Sequence, residues 1–207
     1  MLKEESKQAV SQFFAAVDQE FNAFLKARSP QDYEAAAQLI LESQAHGGRL
    51  HVTGIGKCSH VSTYAASLFS STGNPAYYLH GTEAVHGSCG QLVAGDVVIA
   101  ISNSGETGEL KATVLAVKNN GCKIIGVSGN PDSWLAHESD AFLFAGVKQE
   151  GGPLNRAPPQ LRAGGAAHPS GPLCGAPGGE GLGPREVRPL PPRRKAGPAA
   201  GQREEVM

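Results

Sequence analysis

Asp96-Val-Val-Ile-Ala-Ile-Ser-Asn-Ser-Gly-Glu-Thr-Gly-Glu-Leu110 reads as a strand that turns directly into a helix. Its first six residues form an apolar, β-branched run of buried-strand length. Leu110, Val114 and Val117 then recur at helical spacing. The turn between them carries three hydroxyls, on Ser102, Ser104 and Thr107, around Gly105, which permits a tight backbone path. Amides that open a helix lack intrahelical partners, and the helix dipole makes that end attractive to anions. Hydroxyls plus free amides can cradle a phosphate without a metal. The competing interpretation is an ordinary Ser/Thr cap on a strand-to-helix loop.

The pattern repeats on both sides of this stretch. Val10, Phe13, Phe14, Val17, Phe21, Phe24 and Leu25 mark an amphipathic helix with an aromatic-rich stripe, expected to pack on the core, with a partner subunit as the alternative. Ser29-Pro30 reads as cap and first residue of a second helix through Tyr33, Ile40 and Leu41, stopped by Gly47-Gly48. Arg49–Thr53 is a short strand. It runs into Gly54-Ile-Gly-Lys-Cys-Ser59 and a helix marked by Val61, Ala65 and Phe69. This turn is neither a dinucleotide fingerprint nor a P-loop. Its two glycines, Gly54 and Gly56, let a ligand approach the backbone, and Lys57 can place a charge on an anion. Beyond a strand at Ala76–Leu79, His80, Glu83 and His86 follow at three-residue spacing, which would put them on one helical face. The spacing lacks a fourth metal ligand, so no metal is assigned. The intrinsic pKa of His86 suits proton transfer. Further strands follow at Gly121–Val127 and Ala141–Phe144, with a short helix from Asn130 through Trp134 between them.

Five strands alternating with helices imply a doubly wound, three-layer αβα sandwich with a five-stranded parallel sheet. Ligands in such sheets bind at the carboxyl ends of the strands. Both glycine/serine turns and the His80–His86 segment leave from those ends.

Composition divides the chain. Residues 1–150 hold 15 Gly and 3 Pro, whereas residues 151–207 hold 12 Gly and 11 Pro with no periodic apolar pattern. The expected layout is an amphipathic helix in 1–30, an α/β domain with the anion-site turns in 31–157 and a disordered Gly/Pro-rich tail in 158–207. A net charge of −1 gives no field to recruit nucleic acid or a membrane surface. No apolar run reaches membrane-spanning length, no leader pattern opens the chain, and Cys58, Cys89, Cys122 and Cys174 lack metal spacing. A reduced, cytoplasmic protein is the expectation.

In this order and spacing, Gly54–Lys57, His80–Gly87, Val97–Glu109 and Glu150 with Pro153-Leu154 resemble a sugar isomerase (SIS) domain, within it the arabinose-5-phosphate isomerase family. The resemblance implies that Ser102, Asn103, Ser104 and Thr107 hold a sugar phosphate. It implies that Lys57, His86, Glu109 and Glu150 stand in a catalytic pocket interconverting arabinose 5-phosphate and ribulose 5-phosphate. No cofactor is implied. A homo-oligomer, dimer or tetramer, is implied, with sites shared between subunits. The chain departs from the family in three respects. Cys58-Ser59 replaces the usual Ser-Gly, and the tandem regulatory modules are absent. Pro158-Pro159-Gln160 begins the tail where the family continues with an apolar helix and a His-Pro-Gly-Gly-like motif. The break predicts a shifted reading frame. Arg188–Gly197 can be encoded by codons that, read one base later, give Arg-Tyr-His-Pro-Ala-Gly-Lys-Leu-Gly. An inactivated, merely sugar-phosphate-sensing module is therefore the alternative to an isomerase.

Overall fold

Five short strands with β-branched cores assemble into one parallel sheet in the computed structural model, which describes residues 3–148. Two helices come first, α1 (Glu4–Lys26) and α2 (Gln31–Ala45). There follow β1 (Leu50–Gly54), α3 (Lys57–Ser71), β2 (Ala76–Tyr78), α4 (Gly81–Ala84) and a 3-10 turn at Ser88–Gln91. The chain continues through β3 (Val97–Ile101), α5 (Gly108–Asn119), β4 (Lys123–Ser128), α6 (Trp134–Glu138) and β5 (Ala141–Phe144). The strand order is β2-β1-β3-β4-β5, with Leu50 opposite both Ala76 and Val97, Val97 opposite Lys123, and Ile125 opposite Ala141.

Side-chain alternation along the strands builds a core on each face. Leu50, Val52, Val97, Ile99, Ile101, Ile125 and Val127 pack with Tyr33, Ala36 and Ile40 of α2 and Phe69 of α3. Val98, Ala100 and Ile124 pack with Leu110, Val114 and Val117 of α5 and Leu135 of α6. The three-layer αβα sandwich is therefore as expected. In this strand order the connection after β1 runs to one side and that after β3 to the other. Their divergence opens a crevice at the carboxyl ends of β1 and β3.

Asp96, wholly buried, ties the opposite end of these strands together. It accepts hydrogen bonds from the backbone amides of Arg49 (2.8 Å) and Val93 (3.0 Å), from Arg49 Nη2 (2.9 Å) and from His51 Nε2 (3.2 Å). Burial raises the Asp96 pKa, but these donors and the Arg49 charge outweigh it and hold the carboxyl below its usual range. His51 is pushed down by burial despite the attraction of Asp96. Cys122, just before β4, is pushed up to about 11, chiefly by burial, and is core, as expected.

Several local expectations change. No residue of α1 is buried, and Phe14 remains 65% exposed, so the stripe does not pack on this chain's core. Toward its end, Arg28 just beyond the helix lies over the rings of Phe24 and Phe144, and Glu20 accepts the Lys148 amide. Pro30 is the cap of α2 rather than its first residue. Its missing amide is no loss there, and Asp32 Oδ2 reaches back to the Ser29 amide at 2.8 Å. The last short helix begins at Trp134 because Ser133, not Asn130, caps it by accepting the Ala136 amide. Among the described residues no helix is long and apolar enough to cross a membrane.

Candidate functional site

The crevice is rimmed by three segments, each turned by a particular residue. After β1, Gly54 is packed so closely on Cys58 that an added Cβ would lie 2.9 Å from its backbone. Gly56, at φ +59°, starts α3 with no side-chain cap. Lys57 is the exposed first residue of that helix. After β3, the Ser102–Thr107 turn is internally wired. Ser102 is buried, its Oγ accepts the Gly105 amide at 3.1 Å, and it shares a hydrogen bond of 3.1 Å with Thr107 Oγ1. Ser104 Oγ accepts the Glu106 amide at 3.1 Å. Thr107 stands at the cap position of α5 but its side chain makes no cap hydrogen bond. The opening amides of α5 thus face the crevice mouth uncapped, beside the exposed Asn103 and Ser104. An anion can be met there by amides, hydroxyls and the helix dipole together.

The third segment differs from its sequence-based description. α4 is a single turn, and His80 is its cap, its Nδ1 accepting the Glu83 amide at 3.2 Å. His86 lies beyond the helix, so His80, Glu83 and His86 do not share a helical face. Both His80 and His86 are exposed. Glu109 occupies the first turn of α5, also exposed.

Contacts among the rims bring the segments into one site. The Asn103 backbone lies close enough to the Cys58 thiol to lower its pKa, so the two glycine/serine turns stand side by side. Burial pushes that thiol's pKa up, opposed by the Asn103 backbone and the nearby Lys57 charge. Gly81 sits against Gly54 and Ile55, where a Cβ would meet the Gly54 carbonyl at 3.0 Å. Thr113 Oγ1 of α5 donates to the Gly81 carbonyl. These contacts join the segments that carry Lys57, Ser102, Asn103, Ser104, Thr107, Glu109 and His80–His86 at the carboxyl ends of β1 and β3. Glu150, Pro153 and the tail beyond 158 lie outside the described residues. Among the described residues no group of three or more His, Cys, Asp or Glu side chains could hold a metal ion.

One part of the site was not recognised from the sequence. Glu106 lies inside the central turn, and its Oε1 accepts the Trp134 amide at 2.6 Å. Its Oε2 pairs with Lys111 Nζ at 2.6 Å. Nothing local to Glu106 marks a partner 28 positions away.

The family model described as SIS domain matches residues 43–167. An arabinose 5-phosphate isomerase KdsD of Francisella tularensis is 40% identical over 134 residues, covering 65% of this chain and 41% of the relative. The protein of the same name from Pseudomonas aeruginosa is 41% identical over 134 residues, covering 65% and 40% respectively. The chain thus spans about two fifths of the length of these relatives. Among solved structures, the c3406 protein of E. coli CFT073, in complex with arabinose 5-phosphate, superposes with a TM-score of 0.76 at 28% identity, covering 85% of this chain and 91% of that one. Phosphoheptose isomerase GmhA of Neisseria gonorrhoeae, at 17% identity and a TM-score of 0.66, covers 82% and 97% and shares the fold.

Proposed function

Since the chain belongs to the SIS-domain family, we propose that it binds a phosphorylated sugar at the Ser102–Thr107 turn and isomerises it between aldose and ketose. The substrates proposed are arabinose 5-phosphate and ribulose 5-phosphate. The observation that carries this reading is the crevice itself, with the uncapped start of α5, three hydroxyls and Lys57 at its rim. The similarity to KdsD proteins and to a structure holding arabinose 5-phosphate supports the choice of sugar.

In this reading Ser102, Asn103, Ser104 and Thr107 hold the phosphate, and Gly54 and Gly56 let the sugar approach the backbone. Glu150 takes the proton from the carbon next to the carbonyl. His86 moves a proton between the two oxygens of the enediol. Lys57 offsets the charge of the enediolate, and Glu109 completes the polar wall. The chemistry needs no redox cofactor. The exposed stripe Val10, Phe14, Phe21 and Leu25 supports assembly into a homo-oligomer, because isolated chains rarely leave such a stripe in water. The free thiols of Cys58, Cys89 and Cys122 are consistent with a cytoplasmic setting.

Proton NMR of ribulose 5-phosphate incubated with the protein in deuterated water tests this. The aldose should appear with deuterium at C2, and Glu150→Gln should abolish it. A silent spectrum with folded protein and saturating substrate refutes the isomerase. A second reading, a non-catalytic sugar-phosphate sensor, is favoured by one observation, the tail that replaces the family's His-Pro-Gly-Gly-like motif. Titration with arabinose 5-phosphate showing binding without turnover would select it.

A further inference from the structure

A tight turn that must present amides and hydroxyls to a phosphate is useful only if it is held in shape before the ligand arrives. The Ser102–Thr107 turn is held from outside, by the segment that joins β4 to α6. The Asn103 carbonyl accepts the Gly129 amide at 2.9 Å, and the Gly105 carbonyl accepts the Leu135 amide at 3.1 Å. Gly105 presses on the cap of α6, so that an added Cβ would lie 2.1 Å from Ser133 Oγ. The fourth contact is the only one of these made by a side chain of the turn. Glu106 Oε1 accepts the Trp134 amide at 2.6 Å, while its Oε2 binds Lys111 one turn into α5 at 2.6 Å. Lys111 Nζ in turn lies 5.4 Å above the centre of the Trp134 ring. The Glu106 carboxylate therefore clasps three elements at once, namely the turn, α5 and α6.

We propose that Glu106 is a positioning residue for the phosphate site, and that the β4–α6 segment with Trp134 is the brace through which it holds the Ser102–Thr107 turn in its anion-binding shape. Both oxygens of the carboxylate are engaged. It occupies the Trp134 amide and the Lys111 ammonium, and so adds no free negative charge beside an anion. The Lys111 and Trp134 donors hold its pKa low, which keeps this acceptor ionised. The role depends on the phosphate-site reading above, and the test separates the two.

Two ligand-free and ligand-bound measurements on the full chain decide it. Amide hydrogen exchange in residues 103–109 reads the shape of the turn without ligand. Calorimetric titration with arabinose 5-phosphate reads its consequence. Glu106→Ala should speed exchange in the turn and weaken binding about tenfold, the scale of one charge-assisted hydrogen bond, while the strands keep their protection. Glu106→Gln retains an acceptor for the Trp134 amide and should restore most of the affinity, which a loss of charge alone would not predict. The backbone donor can be deleted separately. Trp134 is the first residue of α6, where proline is tolerated, and Ser133 at φ −75° and ψ 157° already has the conformation that a following proline requires. Trp134→Pro should therefore weaken binding relative to Trp134→Ala, and the difference should vanish in a Glu106→Ala background. Unchanged exchange and affinity in Glu106→Ala overturn the brace while leaving the phosphate site standing. A wild-type protein that binds no sugar phosphate, although its turn loosens in Glu106→Ala, overturns the ligand role and the site reading together.

Discussion

Replacing Gly105 by alanine should cripple the central turn, and the structure gives the size of the effect. Gly105 sits at φ +69°, where an L-residue costs about 1–2 kcal/mol. Its Cβ would lie 2.1 Å from Ser133 Oγ, 2.4 Å from Ser133 Cβ and 2.9 Å from Ser128 Oγ. Ser133 cannot simply step aside, because its Oγ caps α6 by accepting the Ala136 amide and the neighbouring Leu135 amide is bound to the Gly105 carbonyl. Overpacking of this kind costs about 1–3 kcal/mol. The sum is about 2–5 kcal/mol, a large part of the roughly 5–15 kcal/mol available to a domain. In urea unfolding, with slopes of about 1–3 kcal/mol per molar, the midpoint should fall by about 1–2 M. Gly56→Ala is the matched control. It has φ +59° but nothing within 4 Å of the added methyl, so it should bear only the backbone cost. Ser133→Gly removes the two nearest of these three atoms at little cost to the cap. Combined with Gly105→Ala it should recover about 1–3 kcal/mol. If Gly105→Ala is no worse than Gly56→Ala, or if Ser133→Gly fails to rescue it, the steric account is refuted.

Asp96→Asn should destabilise the fold by about 3–5 kcal/mol, because it removes the charge facing Arg49 and turns an amide toward a cluster of donors; urea unfolding followed by circular dichroism measures this. Acid should weaken the fold in two windows. His51, whose folded pKa is lowered from 6.5, contributes stability that is complete above that value and lost as pH falls below it. Asp96, lowered from 3.8, contributes stability that is lost only as pH falls below that value. Unfolding free energies measured from pH 7 to 3 should show both, and His51→Gln should erase the slope that sets in as pH falls below 6.5. Asp substitutions at Phe14 and Phe21 should lower the solution mass of the particle by light scattering without unfolding the chain, since neither residue is buried; an unchanged mass removes α1 from the interface. Sequencing of the encoding DNA should reveal a His-Pro motif in a shifted frame across Arg188–Gly197, and its absence from both shifted frames refutes the frame change.

Local chemistry alone was enough for the repeating units of this protein. Apolar β-branched runs ending in Gly54-Ile-Gly-Lys57 or Ser102–Thr107 can hardly be anything but buried strands turning into helices, and their alternation implies a parallel sheet. The anion-site candidates were legible for the same reason, since hydroxyls and glycines at a helix start act through atoms only a few residues apart. What remained hidden depends on contacts between distant segments. Glu106 finds its partner at Trp134 only because β3 and β4 are neighbours in the sheet. Asp96 becomes a buried acceptor only because β1 lies beside β3. The three-residue spacing of His80, Glu83 and His86 was misleading because the chain turns after one helical turn, and spacing implies a shared face only while the helix lasts. The stripe on α1 shows the limit most plainly. Its 3.6-residue period establishes that one face requires cover, because apolar area in water is costly wherever it lies. Whether that cover comes from the α/β body is a matter of where α1 is attached, and only the tertiary structure, by leaving the stripe exposed among the described residues, decided that the sheet and its helices do not supply it.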